Sequence, residues 1–148
     1  MKKAFLIAVA ILLGIQLIPI NRENPSVTSD VGASDSVKAI LKRACYDCHS
    51  NETVWPGYSR VAPVSWVIAF DVSKGREELN FSTWDKYDDQ KKKKLIKKSL
   101  EEMKDGEMPV FFYVWLHPEA KLSEADINKV TEWATQTYSL TGQPEHNE

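Results

Sequence analysis

Cysteine, glycine and net charge are all scarce in this chain. Of 148 residues two are cysteine and six are glycine, and nineteen Lys and Arg nearly cancel twenty-one Asp and Glu, leaving a formal net charge of -2. Two cysteines cannot build a disulfide scaffold. So even a charge balance supplies no basic field, which sets aside DNA and RNA as partners. The few glycines and prolines follow no period, which excludes collagen-like and low-complexity chains. There is no internal repeat and no convincing alternation of a half-buried strand. With 43% hydrophobic and 27% charged residues, what remains is an ordinary globular composition, enough for one domain.

The chain opens with an apolar run. Residues 4–20, AFLIAVAILLGIQLIPI, form a 17-residue stretch without a charge, preceded by Lys2 and Lys3. Seventeen residues lie at the lower limit of the 17 to 25 or so that a membrane-spanning helix needs. The chain beyond the run has bulky side chains where a cleavage site needs small ones. The expectation is an uncleaved single-pass anchor over residues 1–20 in a bacterial inner membrane, its amino end held inside by the lysines and the remainder on the periplasmic side. Residues 21–33 read as a polar linker, 34–140 as the domain, and 141–148 as a flexible tail.

Within the domain the apolar pattern is helical. Val37, Ile40, Leu41 and Ala44 recur at helical spacing behind Ser34 and Asp35. A second helix is expected from Pro63, carrying Trp66, Ala69 and Phe70 toward Leu79. Asp88 and Asp89 open a third, with Leu95, Ile96, Leu100 and Met103 as its buried stripe and Gly106 as its stop. Ser123 to Asp126 resembles a capping box before Ile127, Val130, Trp133 and Ala134. Four helices and no strand make the fold class all-α.

The two cysteines fall in Cys45-Tyr46-Asp47-Cys48-His49. C-x-x-C-H is a known attachment pattern for c-type haem. Two thiols at this spacing can add to the two vinyl groups of one porphyrin edge, and the adjacent imidazole then reaches the iron. A thioredoxin-like dithiol needs a βαβ context that is missing, and a structural zinc needs a fourth ligand at recognisable spacing. One covalent haem is therefore expected on Cys45 and Cys48, with His49 as proximal ligand. The sixth ligand is Met or His in such sites. Met103 sits on a helix stripe, whereas Met108 follows Gly106 in a loop and precedes Pro109, so Met108 is the candidate and His117 its rival. Trp66 and Trp84 are candidate walls of the haem pocket, which needs apolar surface on both faces. Arg60 and Arg76 are candidate partners of the propionates, whose carboxylates suit a guanidinium fork.

The residues C-x-x-C-H-S-N-E-T at 45–53, the run from Trp55 to Trp66, Asp71-Val72 with Gly75-Arg76, Leu79 to Ser82 with Trp84, Gly106-Glu107-Met108-Pro109 and His117-Pro118 together resemble the single-haem "haem-binding domain" proteins, as does the stretch Gln16 to Pro25. That family consists of bacterial membrane-anchored chains similar to class I cytochromes c. The chain departs from the pattern at Gly57, where an aromatic residue is expected. The resemblance implies haem ligation in a small cytochrome c-like helical domain. The functional expectation is one-electron transfer with an unidentified redox partner protein, and no enzymatic activity. The alternative is a gas or redox sensor whose sixth ligand is displaceable.

Overall fold

In a computed structural model of the chain, residues 1–140 are described; the expected tail at 141–148 lies outside them. Among the described residues there is no strand, and the all-α expectation holds for the domain. Helix α1 spans Lys2–Gly14, α2 Asp35–Ala44, α3 Tyr46–His49, α4 Val64–Glu78, α5 Asp89–Lys104, α6 Phe111–Leu116 and α7 Glu124–Tyr138. Short 3₁₀ turns cover Ile15–Leu17, Gly57–Arg60, Phe81–Lys86 and Pro118–Ala120.

The expected anchor is not supported. Helix α1 has 13 residues and none of them is buried. At 1.5 Å per residue it is about 20 Å long, well short of the ~30 Å hydrocarbon layer. No helix among the described residues is long and apolar enough to cross a membrane, so the single-pass inner-membrane placement falls with the anchor. The reason lies in Gln16. Its amide donates to the carbonyls of Leu12 at 2.9 Å and Ala62 at 3.1 Å and accepts from the Ala62 N–H at 2.9 Å, fastening the chain to the domain where a spanning helix would have to continue.

Residues 21–33, read from composition as a linker, run extended along the domain. Thr28 N–H donates to the Ser82 carbonyl at 2.9 Å, Asn51 reaches the Ser26 carbonyl at 2.9 Å, and Val31, 2% exposed, joins the core. Its polar side chains are used too: Asn24 donates to the Thr53 carbonyl at 2.9 Å, and the Thr28 and Ser29 hydroxyls donate to the Asp85 carboxylate at 2.9 and 2.6 Å.

The core is built where α2, α5 and α7 bring together Val37, Ile40, Leu41, Leu95, Ile96, Leu100, Val130 and Ala134. Helix α5 begins at Asp88, whose carboxylate accepts from Lys91 N–H at 2.7 Å, and ends as its sequence suggested. There the Glu107 N–H returns to the Glu102 carbonyl at 2.9 Å, and Gly106 takes φ +74°, a conformation that favours glycine. Helix α7 begins with a complete capping box between Ser123 and Asp126. Helix α4 lies where it was expected, and it buries Ser65, Val72 and Gly75, while Phe70 is 62% exposed. The face turned inward is the one that can come closest to α3. A Cβ on Gly75 would stand 2.5 Å from the Cys48 carbonyl oxygen, so only glycine permits this crossing.

Two outcomes follow from this packing. Gly75→Ala is expected to destabilise the fold by about 2–3 kcal/mol, because the obstructing atoms are backbone, whereas Gly57→Ala, with nothing within 4 Å, stays within about 0.5 kcal/mol; urea unfolding compares the two. Hydrogen bonds from Ser123 and the Arg43 guanidinium at 2.7 Å hold the Asp126 carboxyl at about 2, down from its ordinary 3.8. Its stabilising contribution is present above pH 3.8 and is lost as pH falls through about 2. Asp126→Asn is expected to lower stability at neutral pH and to flatten the pH dependence in that window, read as denaturation midpoints from pH 6 to about 2.

Candidate functional site

The Cys45–His49 motif is one helical turn. Helix α2 ends at Ala44, the Cys45 N–H still bonds the Leu41 carbonyl at 2.8 Å, and α3 closes when the His49 N–H donates to the Cys45 carbonyl at 2.9 Å. Positions 45, 48 and 49 stand at i, i+3 and i+4 and so share a face. That face lines a cavity of about 280 Å³, near the small end of the range for ligand pockets. The two intervening residues turn elsewhere. Tyr46 is buried against Phe81, with ring centroids 5.3 Å apart, and its hydroxyl bonds Asp30. Asp47 accepts from Val54 N–H at 2.9 Å and from the Tyr113 hydroxyl at 2.8 Å.

His49 is held by α4. Its Nδ1 lies 2.8 Å from the Gly75 carbonyl and 3.1 Å from that of Leu79. Carbonyls only accept, so Nδ1 carries the proton and Nε2 keeps its lone pair. Burial lowers the His49 pKa, which keeps the ring neutral. A neutral imidazole oriented through its other N–H is the form that ligates metals. Both cysteines are free; burial pushes the Cys45 thiol up to about 12 and the Cys48 thiol up to about 11. That environment is the reverse of the electropositive one that activates a redox dithiol. Among the described residues no group of three or more His, Cys, Asp or Glu is placed to hold a metal ion, which leaves a structural zinc without its ligand set.

The cavity walls are apolar, with Leu41, Leu79, Phe81, Ile96, Leu100 and Trp133 among them. Met108, 37% exposed, also lines it, together with Tyr113 from α6. The Schellman-type end of α5 turns the chain at Gly106 and leaves Met108 off any helix face. His117 does not line the cavity. Its Nδ1 faces the Glu119 carboxylate at 3.2 Å, its Nε2 accepts from the Tyr58 hydroxyl, and its ring stacks on Tyr113 at 4.5 Å. A donor set of two thiols, one neutral imidazole and one thioether around an apolar slot fits a haem.

Four residues expected at the pocket lie elsewhere. Trp84 is taken up by an aromatic core with Phe81, Tyr87 and Tyr138. Trp66 does not line the cavity; it is half-buried, and its buried indole N–H has no partner among the described residues. Arg60 lines a separate cleft. Arg76 is spent on the back of the attachment loop, donating to the Ser50 carbonyl at 2.8 Å, Thr53 Oγ1 at 2.8 Å, Asn24 Oδ1 at 2.7 Å and the Glu23 carbonyl at 3.1 Å. The cations that do line the cavity are Lys74 and Lys98. Sequence reasoning missed the Gly75 and Leu79 carbonyls. The sign available was a glycine inside an apolar helical pattern, which costs about 1 kcal/mol relative to Ala and marks a close approach.

No curated protein and no solved structure matches the chain. The family model described as haem-binding domain matches residues 10–136. That span includes the Cys45–His49 turn, the carbonyls that orient His49, and Met108, and it covers most of the sequence. The chain belongs to the haem-binding domain family.

Proposed function

We propose that the chain holds one haem c through thioether bonds from Cys45 and Cys48, with His49 and Met108 as axial ligands, and that it works in one-electron transfer. The observation that carries this reading is the single face of the 45–49 turn, which directs both thiols and an imidazole with a free Nε2 into the apolar cavity that Met108 also lines. When bound, the haem supplies an iron that takes up and releases one electron.

The chain's own groups have distinct parts in this reading. Each S–H adds across one vinyl group, so that sulfur and hydrogen end on adjacent carbons and no oxidant is consumed. The Gly75 and Leu79 carbonyls fix the imidazole plane and tautomer and raise the basicity of Nε2. Lys74 and Lys98, not Arg60 and Arg76, are the cations within the cavity lining for the propionates. A thioether ligand favours ferrous iron and raises the potential, which suits electron transfer. Met108 is preferred over His117 because both ring nitrogens of His117 are engaged by Tyr58 and Glu119.

Acid-acetone extraction of protein made with haem-maturation machinery tests the attachment. The colour is expected to stay with the polypeptide; haem leaving with the solvent overturns the covalent reading while leaving haem binding intact. For the sixth ligand, the ferric protein is expected to show the weak near-infrared sulfur-to-iron charge-transfer band. Met108→Ala is expected to abolish it and to open the ferrous protein to carbon monoxide, while His117→Ala keeps both properties of the wild type. Loss of low-spin character in His117→Ala alone makes the site bis-histidine. Tight carbon monoxide binding by the unaltered protein replaces electron transfer with the sensor reading.

A further inference from the structure

A second, smaller cleft of about 130 Å³ forms where residues 16–22 cross the loop that follows the 57–60 turn. It shares no lining residue with the cavity around His49. Its wall is set by Gln16, whose amide bonds both backbone groups of Ala62. The charged groups lining it are two guanidinium groups, those of Arg22 and Arg60, with no carboxylate among the lining residues. Among the described residues neither arginine takes part in an ion pair, and Arg22 makes one long contact, 3.4 Å, to the Ser59 carbonyl.

Ser65 adds a hydroxyl to the cleft. The residue is 2% exposed and lines the cleft. Ser65 also stands in the first turn of the 15-residue helix α4, where no acidic residue offsets the helix dipole, although the Ser65 and Trp66 N–H groups are themselves taken up by the Val61 and Pro63 carbonyls at 2.9 and 3.0 Å.

We propose that this cleft binds a phosphate group, inorganic or carried as an ester. Two guanidinium forks and one hydroxyl offer more donors and more positive charge than a carboxylate can use. A tetrahedral phosphate accepts from several directions at once and carries up to two charges to match the two arginines. The cleft has room for one such group. The assignment does not depend on haem, because the two clefts have no lining residue in common.

Calorimetric titration of the full chain at low ionic strength tests it, with inorganic phosphate, glycerol 3-phosphate as a monoester and glycerophosphoglycerol as a diester. Saturable one-to-one binding of at least one of them is expected, with acetate at least tenfold weaker. Arg60→Gln and Arg22→Gln are each expected to weaken binding tenfold or more. Lys104→Gln, which removes the same charge from an exposed position outside the cleft, is expected to change it less than twofold. Ser65→Ala deletes a single oxygen and weakens binding several-fold, which keeps the test available should an arginine variant fail to fold. Diester binding equal to that of inorganic phosphate assigns the site to a phosphodiester on a larger molecule; preference for inorganic phosphate and the monoester assigns it to a terminal phosphate. Absence of saturable binding, or equal weakening by Arg60→Gln and Lys104→Gln, overturns the proposal.

Discussion

The contact between α4 and the backbone of Cys48 governs the rest of the molecule. With hydrogen in place of a side chain at position 75, the helix lies directly on the Cys45–His49 turn, and its own carbonyls become the acceptors that orient His49. The neighbouring Arg76 then reaches behind the turn to Ser50 and Thr53 and out to Asn24, tying the extended amino-terminal segment to the same spot. One close approach therefore fixes the helix, the ring and the outer strap together. A larger residue would separate all three, and no adjustment of a flexible side chain could restore them, because the atoms in the way belong to the main chain.

Much of this was legible in the sequence, where local chemistry decides. The periodicity of Val37 to Ala44 and of Leu95 to Met103, the cap at Asp88, the stop at Gly106 and the capping box at Ser123 are each set by interactions within one turn, and each is found where its residues point. The pentapeptide Cys45 to His49 stood out by its composition, but the helical turn that brings its two thiols and imidazole to one face did not. Helices α3 and α6, of four and six residues, were not legible, since pieces so short have no periodicity to detect.

What the sequence did not disclose depends on distant partners. Phe70 is apolar but exposed, because α4 turns its small residues inward to meet the turn. Arg76 reads as a carboxylate partner but serves two main-chain carbonyls and the side-chain oxygens of Asn24 and Thr53, which lie 23 to 53 residues away. The apolar stretch at the amino end reads as a spanning helix by hydropathy. It stops short because a single glutamine finds both hydrogen-bonding groups of Ala62, 46 residues along the chain. Hydropathy weighs each residue against solvent and has no means of registering such a capture.

The two residues between the cysteines are variable in the motif as a motif, yet this fold commits both. Tyr46 closes one side of the aromatic core, and Asp47 is the acceptor for a half-buried phenol on the segment that carries Met108. A chain that lost the Asp47 carboxylate and kept Tyr113 would strand a hydroxyl at a cost of about 1–3 kcal/mol, whereas exchanging the pair for two apolar residues could be nearly neutral. Natural variation at these two positions is thus expected to be correlated, although they lie 66 residues apart in the chain.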